Sequence, residues 1–463
     1  MEPKDTHARS RRAGHLAVLH AGLLIAFLTW RYGGMESFAV TVAQWLVLPA
    51  PFLTAFAWRQ AGPELRRKFL WIAVPLLLLS ALVVAGFFNA SMRFVNLWGE
   101  RSLVPTPHAE AWPSNPYPAV TAPDYGLNLG LVLVGLNLML TRPSRRWLRG
   151  LIAGVALNTA ILAVVGTFFK LSNAKAILGI TPSPNPSFFA TFIYHNHWGA
   201  IALLGVGAAA GIALYHNRRR LEAFFLSPAP FWVLCTALVL LAIPLSSGRS
   251  STLAALVLSG GLALCLLASA GKDRGRWAAG LGLAAVLGLA VVGFLARDTI
   301  RNEYRETSGA LSKLSSGGIG EGRLILYGDT LRLIGQRPWF GWGWGSFQYV
   351  HPRVAVPRPY RQTYQYEQYA LDAHSDWLQF PAEVGLIGTG LGLTALAGVL
   401  RWAGRRGWWH SPSREILLGV GALSLLACVD FPTACPAVVV SAIALLAAAA
   451  ELARVADHDP DHS

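Results

Sequence analysis

Residues 69–88 read Phe-Leu-Trp-Ile-Ala-Val-Pro-Leu-Leu-Leu-Leu-Ser-Ala-Leu-Val-Val-Ala-Gly-Phe-Phe, without a charge, directly after Arg66-Arg67-Lys68. A helix needs about 20 apolar residues to cross the hydrocarbon layer, and a basic cluster holds its cytoplasmic end among the headgroups. The segment therefore predicts a membrane span entered from the cytoplasm. Similar runs, bounded by charge or by Pro and Gly, fall near 15–32, 38–58, 126–141, 149–169 and 190–214. Others fall near 229–246, 251–269, 277–295, 376–400, 415–430 and 436–453. The fold class predicted is all-α, a polytopic membrane protein of about 12 spans.

Composition agrees. Of 463 residues, 54% are hydrophobic and 14% charged, with mean hydropathy +0.43, against about 25% charged in a soluble domain. This excludes a disordered chain, a coiled coil, a disulfide scaffold and an ordinary soluble enzyme. The four cysteines form no CxxC pair, so neither a disulfide framework nor a zinc site is expected. No small-residue cleavage site follows the run at 15–32, which is read as a permanent span and not a removed signal.

The excess of 39 Lys+Arg over 24 Asp+Glu would suggest nucleic acid in a soluble protein. Here its distribution points elsewhere, and no nucleic-acid partner is expected. Alternating loops place 23 basic residues on one side and six on the short loops of the other, with ten more in one long loop. The positive-inside rule then puts both termini in the cytoplasm. Four segments follow: 1–189, with five spans and an outward loop at 89–125; 190–295, with spans six to nine; 296–375, the long outward loop; and 376–463, with the last three spans and a tail. The Pro-rich 89–125 reads as an irregular cover layer. The long loop predicts a charged helix from Arg297 to Lys313, with Arg297, Arg301 and Arg305 at helical spacing, and a break at Ser315–Gly320. A second helix, about Glu321 to Gln336, carries an apolar stripe of Leu324, Tyr327, Leu331 and Ile334 suited to a membrane surface.

Polar residues at membrane depth or at its outer edge are costly and mark candidate sites. Arg249, in Ser246-Ser247-Gly248-Arg249-Ser250-Ser251, precedes the eighth span, where Ser250 and Ser251 are suitable N-caps. An anion there would be held by a guanidinium and by free N–H groups of the helix start; snorkelling from a helix end is the competing reading. Arg323 opens the surface helix. His374, in Ala373-His374-Ser375-Asp376-Trp377, stands where the long loop re-enters the membrane and is the side chain suited to take a proton near neutral pH. Glu383 follows within the span, either as a partner for a loop Arg or as a stabiliser of local structure. His195 and His197 lie two apart and point to different helix faces, and Asp372, His374 and Asp376 form a single acidic cluster, so neither set predicts a metal site. Gly341-Trp342-Gly343-Trp344-Gly345 lacks the strand before it and the GK[ST] after it that a phosphate loop requires, and reads as a tight aromatic turn at headgroup level.

Together these residues resemble the signature region of the O-antigen ligase and polysaccharide polymerase superfamily. Its pattern is an Arg-led helix, a "P-x-x-G-x-G-x-x-x-F" turn and an "H-[NS]-x-x-L-x-x-x-x-E-x-G-x-x-G" span start. Here these read Arg323, then Pro338-Trp-Phe-Gly341-Trp-Gly343-Trp-Gly-Ser-Phe347, then His374-Ser375-Asp376-Trp377-Leu378 with Glu383, Gly385 and Gly388. Tyr194-His195-Asn196-His197, Ser247-Gly248-Arg249 and Val429-Asp430-Phe431-Pro432 are similar to further elements of the family. The usual Asn after the His is Ser375, and the usual Ser before the Arg is Gly248.

The resemblance covers roughly 190–450. It implies a fold akin to the multi-span inverting glycosyltransferases (GT-C-like), placed in the bacterial inner membrane with a periplasmic active site. It implies an enzyme of polysaccharide or lipopolysaccharide assembly that takes a glycan from undecaprenyl diphosphate without cofactor or metal. Arg249 and Arg323 would hold the donor diphosphate, His374 would deprotonate the acceptor hydroxyl, and His197, Glu383 and Asp376 would lie at the substrate. The acceptor is another glycan, the lipid A core or a protein; a polymerase, which the Val429-Asp430-Phe431 element favours, would also engage a chain-length regulator. The arginines of the long loop (Arg297, Arg301, Arg305, Arg332, Arg353, Arg358, Arg361) would attract the donor as a field. Trp339, Trp342, Trp344, Tyr360, Tyr364, Tyr366 and Tyr369 would stack on sugars or form a headgroup belt. The rival reading, a flippase of lipid-linked oligosaccharide, predicts charges along the bilayer midplane and an internal repeat.

Overall fold

The computed structural model describes residues 3–97, 100–216, 224–269, 275, 278–280, 282, 320–355 and 370–457. Most of the expected span at 277–295, the helix from Arg297 to Lys313, and the stretch holding Arg358, Tyr360, Arg361, Tyr364, Tyr366 and Tyr369 lie outside the described residues. Within them the protein is an all-α polytopic membrane protein.

Among the described residues nine helical stretches are long and apolar enough to cross a membrane. The first half of the chain holds α1 (Pro3–Trp30), α2 (Ser37–Val47), α3 (Pro49–Gln60), α4 (Pro63–Phe87), α5 (Pro118–Thr141) and α6 (Arg145–Leu171), with α2 and α3 forming one span. The second half holds α7 (His195–His216), α8 (Ala229–Leu245), α9 (Arg249–Ser269), α10 (Gly320–Gln336), α11 (Asp376–Leu400), α12 (Ser413–Leu426) and α13 (Pro436–Asp457). The helix α8 is a shorter apolar segment, and both α8 and the 14-residue α12 fall where the sequence predicts spans. At the centre lie α7 and α13, whose span windows are 89% and 83% buried. Their Ala- and Gly-rich runs, such as Gly205-Val-Gly-Ala-Ala-Ala-Gly211 and Ala447-Ala-Ala-Ala450, let neighbouring backbones approach closely.

The segment 89–125, expected to face outward, is more regular than its prolines suggest. Strands β1 (Met92–Leu97) and β2 (Glu100–Pro105) pair antiparallel with Met92 opposite Pro105, and α5 already begins at Pro118. Pro105 ends a strand and Pro118 opens a helix, positions where a missing N–H costs nothing. Arg337 ties this layer to the rest: its guanidinium bonds Ser114 Oγ and His108 Nε2 and lies over the Trp342 ring at 4.7 Å. A second, two-residue ribbon (Ala176–Ile177 with Thr181–Pro182) follows α6.

The Gly-rich turn after α10 docks on α11 backbone to backbone. Trp342 N donates to Ala382 O (3.0 Å), Gly343 N to Glu383 O (2.7 Å) and Leu386 N to Pro338 O (2.7 Å). These bonds are possible because α11 breaks at Gly385, where φ is +69°, and because Gly341 has φ +66°. A Cβ on Gly385 would lie 2.2 Å from Trp339 O. Gly385→Ala is therefore expected to cost upward of about 2 kcal/mol, read as a lower unfolding temperature in detergent. Gly390→Ala, where a Cβ meets open space, serves as the silent control.

Candidate functional site

At one end of the bundle α7, α9, α11 and α13 all begin, and Asp430 joins them. It sits in the turn between α12 and α13, 1% exposed. Its carboxylate accepts from Asn196 Nδ2 at the start of α7, from the Ser250 hydroxyl at the start of α9, and from Phe431 N at 2.9 Å. Burial pushes the Asp430 carboxyl up, while these hydrogen bonds and the neighbouring Arg323 charge oppose that shift.

Arg323 is an exposed residue of α10, and its Nη1 donates to Val429 O at 3.2 Å. One turn on, Tyr327 donates its hydroxyl to the His374 carbonyl at 3.1 Å. The His374 imidazole meets the Phe431 ring edge to face at 4.8 Å. Arg323 and His374 are thus brought to the same turn, 429–431. Burial lowers the pKa of His374, and the Arg323 charge lowers it further. Such an imidazole is neutral at neutral pH and free to accept a proton. Its Nδ1 is buried without a hydrogen-bond partner among the described residues.

Arg249 opens α9 next to Ser250, whose hydroxyl bonds Asp430. The helix begins at Arg249 itself, two or three residues earlier than capping by Ser250 or Ser251 would give. Thr252 N already bonds Gly248 O (2.9 Å), Ser251 Oγ bonds the same carbonyl (2.9 Å), and Ser250 is used at Asp430. A side chain at Gly248 would collide with Ser251 Oγ (2.3 Å from a Cβ) and Asn196 Oδ1 (2.8 Å), so glycine there leaves room for the contacts around Asp430. Arg249 is exposed beside Ser250, at a helix start whose first N–H groups have no intrahelical acceptor.

The other residues expected at the substrate make contacts of their own, and Asp376 and Glu383 also line a cavity beside the site. His197 is 2% exposed and packs beneath Tyr194 (5.1 Å) and Phe431 (5.5 Å), so it supports those rings instead of presenting a surface. Tyr194 stacks on Phe431 at 5.2 Å. Asp376 fastens the start of α11: its N–H donates to Ala427 O and Asp430 O, and its Oδ2 accepts from Thr433 N at 3.0 Å. Glu383 accepts from Gly345 N (2.8 Å), Phe347 N (3.4 Å) and Gln379 Nε2 (3.2 Å), the geometry of a stabiliser of the turn. Arg332 and Arg353, expected to act as part of a field, are engaged with Asp329 (2.9 Å) and with the Trp342 ring (5.1 Å). Trp342 is buried and donates to Leu333 O, so it neither stacks on a sugar nor sits in a headgroup belt. Among the described residues no three His, Cys, Asp or Glu side chains form a group able to hold a metal ion.

The sequence does not reveal Asp430 as the hub, nor Asn196 and Tyr327 as its neighbours. Beyond the family-like elements Val429-Asp430-Phe431-Pro432 and Tyr194-His195-Asn196-His197, the signal it carries is an acid between two apolar runs, the kind of costly placement that marks a site.

A search of curated proteins finds no match to the chain. A family model, described as O-antigen ligase, matches residues 234–393. That stretch runs from α8 into α11 and contains Arg249, Arg323, His374 and Glu383. Over that stretch, about a third of the chain, the protein is similar to the O-antigen ligase family.

Proposed function

We propose that the protein is a glycosyltransferase that works on the periplasmic face of the bacterial inner membrane and takes its glycan from an undecaprenyl diphosphate donor. The observation that carries this reading is the meeting of Arg323 with a neutral-poised His374 at the turn holding Asp430 and Phe431. Arg249 and Arg323 grip the diphosphate. His374 takes the proton of the acceptor hydroxyl as its oxygen attacks the anomeric carbon. The bond from that carbon to the phosphate oxygen breaks on the opposite side, and the lipid diphosphate leaves with the electron pair. The configuration inverts.

A diphosphate is a good leaving group once its growing charge is stabilised, and donors aimed at developing charge supply much of the rate enhancement in many active sites. Guanidiniums do this through planar, bidentate contacts. The family's activity requires lipid-linked glycan, and basic groups at a helix start facing the outer leaflet suit a lipid diphosphate.

Asp430 serves Arg323 and the start of α9 without touching substrate. Asp430→Asn keeps its size but removes the charge, and hydrogen bonds to charged groups contribute about 1.5–3 kcal/mol. Transfer is expected to fall roughly 10- to 100-fold, with the protein still inserted and folded. Unchanged activity would mean that Asp430 does not position the site.

Polymerase and ligase are two forms of one reaction, and Val429-Asp430-Phe431 favours polymerase. The test is in vitro transfer by the purified full chain. Given one lipid-linked repeat as donor and acceptor, a polymerase yields longer lipid-linked chains. Product only on added lipid A core identifies a ligase, and no product on any acceptor removes the glycosyltransferase reading.

A further inference from the structure

A cavity of about 510 Å³ opens beside the site, between the outer part of α5, the 344–348 turn and the starts of α11 and α13. This is the size of a ligand pocket. Its wall combines the carboxylates of Asp124 and Asp372 with Gln379 and the rings of Trp344 and Phe380; Asp376 and Glu383 also line it, each held by backbone N–H groups, and it holds no Lys, Arg or His among the described residues. The rings are fixed: Trp344 Nε1 donates to Asp124 Oδ2 at 2.8 Å, and Trp344 meets Phe380 edge to face at 6.2 Å. Asp372 and Asp376 stand two residues either side of His374.

We infer that this cavity is the subsite for the sugar end of the acceptor, and that it selects an end without phosphate or carboxylate. The inference rests on the glycosyltransferase reading for its catalytic consequence, but the pocket chemistry stands by itself. Aromatic rings with hydrogen-bond acceptors suit a pyranose, which has apolar C–H faces and a rim of hydroxyl donors. The same acidic wall repels an anionic group. The cationic and acidic parts are therefore divided: lipid diphosphate at Arg249 and Arg323, acceptor hydroxyls at the carboxylates, with His374 in the chain segment between Asp372 and Asp376.

Two measurements on the full chain in lipid nanodiscs test this. Calorimetric titration with a neutral trisaccharide and with the same trisaccharide bearing one phosphate ester should show at least about tenfold tighter binding of the neutral sugar. Asp124→Asn, nearly isosteric and still an acceptor for Trp344, should weaken the neutral sugar and narrow that difference. In transfer assays Asp124→Asn and Trp344→Phe should raise the acceptor KM several-fold and leave the donor KM unchanged. Equal binding of both sugars, or an altered donor KM with the acceptor KM unmoved, overturns the subsite. If the neutral sugar binds as expected but no lipid-linked glycan is ever transferred, the subsite stands and the glycosyltransferase reading fails.

Discussion

His374→Ala is expected to lower glycan transfer by roughly a thousandfold, the middle of the range for a general base, while the protein stays inserted and binds donor. The expectation follows from position and protonation together. The imidazole lies against Phe431, and its own backbone carbonyl is held by Tyr327, so the ring is presented from a fixed segment. Burial, and after it the Arg323 charge, keep its pKa below the ordinary value for histidine. The proton-accepting form is therefore present at neutral pH and is lost as the pH falls through that lowered value. Removing the Arg323 charge should raise the pKa. The residual activity of Arg323→Gln should show its acidic limb moved to higher pH, and an unmoved limb would mean that His374 is not the titrating base.

Arg323→Lys is expected to reduce transfer about a hundredfold even though the charge is kept, comparable to losing one aligned donor at a developing oxyanion. Lysine is a point charge on a flexible stem and cannot offer the planar pair of N–H groups that a phosphate accepts. It also cannot hold Val429 O and a phosphate oxygen in the same arrangement as the Arg323 guanidinium, whose Nη1 already lies 3.2 Å from that carbonyl. The loss should appear in both donor KM and kcat, should persist with chelator present, and should not be restored by added divalent ions. Restoration by a divalent ion would replace the guanidinium mechanism with one based on metal.

Much of the fold is legible in the sequence because lipid imposes simple demands. A run such as 69–88, capped by Arg66-Arg67-Lys68, can hardly be anything but a span, and α4 falls there. The turn at 338–347 is legible for a related reason: glycines at 341, 343 and 345 all take positive φ, which few other residues adopt readily. What the sequence does not disclose are contacts between distant segments. Asp430 and Asn196 are 234 residues apart, and Arg337 and Ser114 are 223 apart. Local pattern carries no information about such pairs. His197 shows the same gap in reverse: it looks like a polar residue at a span start, yet the packing of Tyr194 and Phe431 over it turns it into a support. The hairpin at 92–105 is hidden by prolines that in fact punctuate regular elements.

Equilibrium binding of an undecaprenyl diphosphate glycan to the full chain in nanodiscs tests the central claim most directly. Wild type and His374→Ala should bind alike, because the imidazole acts on the acceptor, while Arg249→Ala with Arg323→Ala should lose at least about a hundredfold in affinity. Undiminished binding by the double arginine variant, or loss of binding on changing His374 alone, would contradict the division of labour at this site.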